Sequence, residues 1–377
     1  MKYYLIAGEK SGEQHAAALM KALQQKDPKA EFRFWGGEAM QAVGGTLVKH
    51  YKEMAFMGFG EVLRNIRKIW GFLKSCKADI LDYQPDVIIL VDYAGFNMKI
   101  AIFAKTKNFK VYYYISPKLW AWNQGRAKKI KANVDKMFVI MPFEKDFYQK
   151  FDYEVDFVGN PVYTAVKKFQ AETISTFDIR KKYRLPDKPI IAILPGSRKQ
   201  EVEACLGILL SITSYFPDYQ FVIGGVSSLP REVYSDAENH EVSIIFDQTY
   251  ELLNIAKAAI LVSGTVSLEA ALFKVPQIVC YRTKSTLTYL IGSWLIKVKY
   301  ISLVNLTLNK AAVPELIQQN FTSGNLAAML QEVLSDRRLQ IIGDYRTLDE
   351  LLRTKDVAEN TATLMWQYLN EKKLNNL

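Results

Sequence analysis

Cysteine and histidine are scarce in this chain, with three of each among 377 residues. Cys76, Cys205 and Cys280 are odd in number, far apart and without a C-x-x-C pair. That argues against a disulfide framework and for free thiols in a reducing compartment. His15, His50 and His240 are equally scattered, so no His/Cys metal site is expected. The chain also lacks an apolar run of membrane-spanning length; the stretch 287–295 is too short. No signal-peptide pattern precedes the first strand-like run at 3–7. A cytosolic protein is expected, touching membrane only at its surface. Acidic residues are the minority, 39 against 49 basic, leaving a net charge of +10. The surplus points to an anionic partner without choosing among nucleic acid, a phosphorylated ligand and an acidic membrane surface.

What is present is enough apolar sequence, 49%, for large cores, in a chain too long for one. Short apolar runs at 3–7, 32–35, 87–91, 111–115, 137–140 and 155–158 alternate with amphipathic segments at 12–24, 61–74, 97–106, 126–132 and 143–150. After a polar stretch at 167–187 the rhythm restarts, with apolar runs at 190–194, 220–223, 242–246, 259–262 and 277–280. Helical segments fall at 201–214, 250–256 and 267–273. The pattern predicts an α/β fold of two doubly wound, Rossmann-like domains, 1–166 and 188–355, joined by the linker 167–187. Ligands are expected beyond the carboxyl ends of the strands, in a cleft between the domains.

Six constellations stand out, most of them at such strand ends. Ser263, Gly264 and Thr265 separate an apolar strand from a helix start. There, free N–H groups and hydroxyls suit a diphosphate, with Glu269 one turn on to accept from sugar hydroxyls. The alternative is an N-capped helix with a surface glutamate. Pro195, Gly196, Ser197 and Arg198, then Glu201, end the strand at 190–194; a glycine turn with a guanidinium fits the same ligand, or is an ordinary turn with a solvated arginine. Gly8, Glu9, Ser11, Gly12 and Glu13 follow the first strand as a glycine-rich turn, neither G-x-G-x-x-G nor a P-loop, that lets backbone approach a phosphate or sugar or is a plain turn with Ser11 capping a helix. Asp92 ends the strand at 87–91, where a carboxylate with raised pKa can act as general base, or simply cap a helix. The loop at 115–126 carries Trp120 and Trp122, for ligand binding or for covering the core. Finally, Phe59, Val62, Leu63, Ile66, Ile69, Trp70 and Leu73 form an apolar stripe at helical spacing, flanked by Arg64, Arg67, Lys68 and Lys74. A basic amphipathic helix of this kind suits a membrane interface or acyl chains, or packs its stripe inward.

Taken in order, these blocks resemble the bacterial lipid-A-disaccharide synthase family along nearly the whole chain. The matching residues are Ala7-Gly8-Glu9 with Ser11-Gly12, Trp35-Gly36-Gly37 with Met40, Met57-Gly58 with Glu61-Val62, and Asp92 with Phe96-Asn97. They continue through Ser116-Pro117, Trp120-Ala121-Trp122 and Arg126, Pro142-Phe143-Glu144, and Val158-Gly159 with Pro161. The second half adds Leu194 to Arg198 with Glu201, Ser263-Gly264-Thr265 with Leu268-Glu269, Pro276, Tyr281-Arg282, Asn305, and Pro314-Glu315-Leu316 with Gln318. Three positions depart from the family pattern. Glu13 stands where the family usually has Asp, and Asn160 where it has His. Gly95 replaces the second carboxylate of the motif that begins at Asp92.

The resemblance implies a metal-independent, inverting glycosyltransferase of the two-Rossmann-domain (GT-B) type that needs no cofactor. Its donor would be UDP-2,3-diacylglucosamine and its acceptor 2,3-diacylglucosamine 1-phosphate, giving a β-1,6-linked disaccharide 1-phosphate and UDP for lipid A. Asp92 would take the acceptor proton. Arg198, Gly196 and Ser197, with Ser263, Gly264 and Thr265, would hold the leaving UDP and Glu269 its ribose; Asn305, Glu315 and Gln318 would stand on the nucleotide side. Gly8 to Glu13 would face the acceptor, and the stripe from Phe59 to Leu73 the inner membrane. The resemblance also implies that a C-terminal helix near 356–377 packs back on the first domain and that the chain can form a homodimer. The competing readings are another UDP-sugar enzyme of this fold, an epimerase or a transferase with a soluble acceptor, and a basic nucleic-acid-binding protein. Against the last, no RNP, KH or helix-turn-helix signature occurs.

Overall fold

A computed structural model describes residues 1–54, 66–172, 175–283 and 298–374. The unbroken apolar runs become central strands of parallel sheets, which helices cover on both faces. β1 (Lys2–Ala7), β2 (Glu31–Gly36), β3 (Thr46–His50), β4 (Val87–Val91), β5 (Val111–Tyr114), β6 (Lys136–Val139) and β7 (Asp156–Phe157) form one sheet in the order β3-β2-β1-β4-β5-β6-β7. β8 (Ile190–Leu194), β9 (Gln220–Gly225), β10 (Ser243–Phe246), β11 (Ala256–Val262), β12 (Gln277–Tyr281) and β13 (Glu315–Ile317) form another, in the order β10-β9-β8-β11-β12-β13. The chain divides into two compact units, Met1–Asn160 with Thr354–Leu377, and Pro161–Arg353.

In the first unit alternate strand residues feed two cores. Tyr4, Ile6, Leu90 and Tyr113 enter one, together with Trp35. Tyr3, Leu5, Val91 and Tyr114 enter the other, on the opposite face. Buried polar tips in the first core are paired. Trp35 Nε1 donates to Tyr4 Oη at 2.8 Å, and Tyr4 Oη donates to Asp79 at 2.7 Å. The Arg33 guanidinium grips the same carboxylate with Nε at 2.9 Å and Nη2 at 2.5 Å. This chain of bonds ties β1 and β2 to the helix Ile66–Tyr83.

The C-terminal helix Val357–Leu374 returns to the first unit and packs along the helix Lys10–Lys26, burying Ala362 and Met365 completely. Its Tyr368 hydroxyl donates to Asp156, and Lys136 Nζ stands 3.6 Å from the Tyr368 ring centroid. Gly159, at φ +101°, lets the chain pass Thr354; a Cβ there would lie 2.5 Å from Thr354 Cγ2.

Several elements differ from the sequence pattern. Within the stretch 167–187 expected as a linker, the helix Pro161–Ala171 ends and the helix Thr176–Lys182 lies, with Ile179 buried in the second unit, which begins at Pro161. β3 and β13 were not expected. Both are edge strands, half-buried at most positions, so neither shows a continuous apolar run. Phe59, Val62 and Leu63, like the apolar stretch 287–295, lie outside the described residues.

Asp79→Ala leaves Arg33 and the buried Tyr4 hydroxyl without their acceptor. It is expected to cost roughly 2–4 kcal/mol of stability in urea unfolding, mostly as the penalty of stranded partners.

Candidate active site

In the first sheet the order reverses between β1 and β4, so the loops leaving these strands diverge and open a crevice at their carboxyl ends. Ala7 pairs with Val91, which brings the turn at Gly8 and Glu9 beside the turn at Asp92 and Tyr93. A Cβ on Gly8 would sit 2.3 Å from the Tyr93 ring, so close approach demands glycine there. Asp92 and Tyr93 both take left-handed backbone angles, φ 47° and 49°. The Asp92 carboxyl is half-buried. Burial first, then the charge of Glu9, raises its pKa above the ordinary aspartate value, while a Tyr93 backbone bond and Lys118 oppose the shift. Ser11 is exposed and Gly12 is buried in the first helical turn. Glu13 departs from the expected role: its buried carboxylate accepts the Ala39 and Met40 N–H groups at 2.5 and 3.2 Å, capping the helix Glu38–Val43. It therefore serves a second helix rather than an open loop.

The loop after β5 carries further strain, with Ile115 at φ 65° and Asn123 at φ 39°. Its two tryptophans divide. Trp120 packs edge-on against Phe143 at 5.0 Å, whereas Trp122 is 45% exposed beside Arg126. Beneath the loop Glu144, 2% exposed, accepts the Met141 N–H at 3.0 Å and hydrogen-bonds Ser116 and Trp120. Burial pushes its pKa up to about 7. Asn160 is also buried, donating to the Ile140 carbonyl at 3.0 Å.

The second sheet reverses between β8 and β11, bringing together the two loops singled out in the second half of the sequence. Gly196 has φ +107°, and a Cβ there would meet Glu201 at 2.6 Å. Glu201 accepts the Ser197 and Arg198 N–H groups at 3.2 and 3.3 Å and pairs with the Arg198 guanidinium at 3.0 Å. The Arg198 side chain is 78% exposed, so the pair is weak and the guanidinium is available to an anion. Across the reversal Ser263 Oγ donates to the Ile301 carbonyl at 2.8 Å, while Gly264 and Thr265 are exposed. The helix that follows spans only Val266–Leu272. A helix this short offers little dipole to an anion. Glu269 N–H donates to the Thr265 carbonyl at 3.3 Å, fixing both on one turn. Burial pushes the Glu269 carboxyl up to about 7, against a hydrogen bond with Tyr250. Tyr250 belongs to an aromatic cluster with Phe169 and Phe273, contacts distant in sequence that no local pattern marks.

Asn305 and Glu315 are structural in this arrangement. Asn305, 1% exposed, exchanges two bonds with the Val313 backbone, at 2.8 and 2.9 Å, and donates to Glu315 at 2.9 Å. Glu315 also accepts the Ile301 and Ser302 N–H groups at 3.0 and 2.9 Å. Their side chains are spent on pinning the segment before the helix Leu303–Leu308 to β13. Gln318 sits beyond β13 in a left-handed conformation, φ 50°, with its Nε2 buried and unbonded.

The apolar stripe is divided by the helix Ile66–Tyr83. Leu73 is buried in the core and Ile69 packs half-buried against it, so these two face inward. Trp70 is 66% exposed, with Lys99 Nζ 5.9 Å from its ring; Arg67, Lys68 and Lys74 are exposed too. Ile66 begins the helix, and its side chain is outside the described residues. Among the described residues no group of three or more His, Cys, Asp or Glu could hold a metal, and no helix is long and apolar enough to cross a membrane.

The Glu144 carboxyl yields a pH-dependent prediction. Its folded pKa of about 7 exceeds the reference value of 4.5, so the folded state holds the extra proton between these values and stability falls as pH rises through them. Glu144→Gln mimics the protonated form. It is expected to gain roughly 1–3 kcal/mol over the parent at pH 8 and nothing at pH 4. Urea unfolding at both values decides, and an equal effect at both would contradict a neutral Glu144.

A model of the lipid-A-disaccharide synthetase family matches residues 3–366. A protein of Coxiella burnetii (strain Dugway 5J108-111) named lipid-A-disaccharide synthase is 35% identical over 368 residues, covering 96% of each chain. One of the same name from Syntrophus aciditrophicus (strain SB) is 36% identical over 372 residues, again 96% of each. Among solved structures, UDP-GlcNAc 2-epimerase from Neisseria meningitidis bound to UDP-GlcNAc aligns with a TM-score of 0.61 at 13% identity, covering 98% of this chain and 100% of that one. At that identity the likeness concerns the fold. The family match and the long alignments at this identity lead to one conclusion: this chain belongs to the lipid-A-disaccharide synthetase family.

Proposed function

We propose that this chain is the glycosyltransferase that joins UDP-2,3-diacylglucosamine to 2,3-diacylglucosamine 1-phosphate, producing the β-1,6-linked disaccharide 1-phosphate of lipid A and UDP. Family membership supports the lipid A disaccharide reaction, a UDP-sugar donor and a lipid acceptor. The chemistry is carried by one observation: Asp92, a half-buried carboxyl of raised proton affinity, stands at the strand-order reversal of the first sheet. In the reaction Asp92 accepts the proton of the acceptor 6-hydroxyl as that oxygen bonds to the anomeric carbon of the donor. The anomeric bond to UDP breaks on the opposite face, its electron pair leaves with UDP, and the configuration inverts. A carboxylate of raised pKa is the better base for a hydroxyl. Arg198, with the Gly196-Ser197 and Gly264-Thr265 loops, balances the charge that grows on the leaving diphosphate. Glu269 takes the ribose hydroxyls. The exposed Trp70 with Arg67, Lys68 and Lys74 suits contact with an anionic membrane surface, where the acylated substrates reside.

Asp92→Ala and Arg198→Ala are each expected to lower disaccharide formation by roughly 100-fold or more, with unfolding curves unchanged. EDTA is expected to leave the parent rate unaltered. Because Asp92 must be ionised, activity falls as pH drops through its raised pKa, so the acid limb lies above the ordinary aspartate range. Full activity in both variants would refute the assigned roles.

Trp70→Ser is expected to weaken co-sedimentation with vesicles containing anionic lipid. Its turnover of detergent-dispersed substrate stays at the parent level. Unchanged sedimentation would remove Trp70 from the membrane surface.

A further inference from the structure

We infer that Tyr113 and Asn97 are positioning residues that hold Asp92 in its left-handed turn; the inference rests on Asp92 acting as the base. Two consecutive non-glycine residues, Asp92 and Tyr93, occupy the left-handed region here. Each costs on the order of 1–2 kcal/mol, so the turn needs a compensating grip. The grip converges on one atom. The Asp92 main-chain carbonyl oxygen accepts the Tyr113 hydroxyl at 2.6 Å and the Asn97 amide Nδ2 at 2.8 Å. Asn97 Nδ2 also reaches the Val91 carbonyl at 3.2 Å, so a single side chain spans the last strand residue and the turn.

Both groups are placed in the core at a cost. Tyr113 and Asn97 are 0% exposed, and Asn97 Oδ1 is buried with no hydrogen-bond partner. A leucine and a phenylalanine would fill the same volume without that desolvation. Their position follows from the sheet: Tyr113 pairs in register with Leu90 on β4, two residues before Asp92, so its ring runs forward under the turn. Asn97 lies in the first turn of the helix Ala94–Thr106 that begins directly after Tyr93. The Tyr93 ring closes over Gly8 and packs against the same core that holds Tyr113. The turn is thus held by the Asp92 carbonyl and by the ring of the neighbouring Tyr93. The Asp92 carboxyl is kept half-buried next to Glu9, the environment that raises its proton affinity.

Tyr113→Phe removes one hydroxyl and preserves packing. Steady-state kinetics of the full chain, measured well below its melting temperature, are expected to show kcat reduced roughly 10- to 100-fold with KM nearly unchanged. The acid limb of the pH profile is expected to move toward the ordinary aspartate range as the carboxyl gains solvent. Asn97→Ala is expected to do the same, and serves if Tyr113→Phe proves unstable. A merely structural role would lower the melting temperature and leave both kcat and the acid limb where they are; that result overturns the inference. Asp92→Ala separates the two failures. Inactive Asp92→Ala beside normal Tyr113→Phe and Asn97→Ala rejects positioning and retains the base. Active Asp92→Ala rejects the base, and the inference with it.

Discussion

Reversal of strand order is the constraint on which the remaining geometry depends. A parallel sheet is stable only with both faces covered, and right-handed crossovers reach both faces only if the chain starts in the middle and builds outward in two directions. β1 and β4 flank that start in one unit, β8 and β11 in the other. At each reversal neighbouring loops leave toward opposite faces, so the carboxyl ends of the strands stay open. Every loop given a role in the proposed reaction leaves one of these four strands. The crevice is a by-product of covering the sheets, and the side chains there are then free to serve chemistry.

Burial sets the electrostatics of these loops. Asp92, Glu144 and Glu269 all have raised pKa values, and in each the dominant cause is loss of water. The outcomes differ because the partners differ. Glu144 is enclosed, bonded to its own helix start and to the loop above, and acts as a pin. Glu269 keeps an opening and a tyrosine partner, which suits hydroxyl recognition. Asp92 sits at the end of a strand with another carboxylate nearby, which suits proton transfer. Arg198 is the counterpart: exposed and, among the described residues, paired with Glu201.

Much of the fold is legible in local pattern. Runs such as 87–91 and 190–194 coincide with β4 and β8, because central parallel strands are apolar at every position. The edge strands β3 and β13 lack that signature for the converse reason: they are only partly covered and mix polar with apolar residues. The charged stretch 167–187 looked like a linker because two amphipathic helices with narrow buried faces carry most of their charge outward. Glu13, Asn305 and Glu315 drew attention as polar residues in motifs. Their hydrogen bonds reach residues 8 to 27 positions away, a distance no window of sequence reveals.

The sequence by itself determined the parallel α/β class, the restart of the pattern in the second half, the family, and the four loops where chemistry is placed. These depend on the order of apolar runs and on glycine, proline and charged residues at strand ends, which act over a few residues. The tertiary structure decided which polar side chains are open and which are consumed: Glu13 as a cap, Asn305 and Glu315 as a clasp, Leu73 as core, Trp70 as surface. It also decided that Tyr113 and Asn97, unremarkable as a strand tyrosine and a helix-start asparagine, meet at the carbonyl of Asp92. Hydrogen-bond satisfaction and burial are properties of non-local neighbours, and only the folded chain brings those neighbours together.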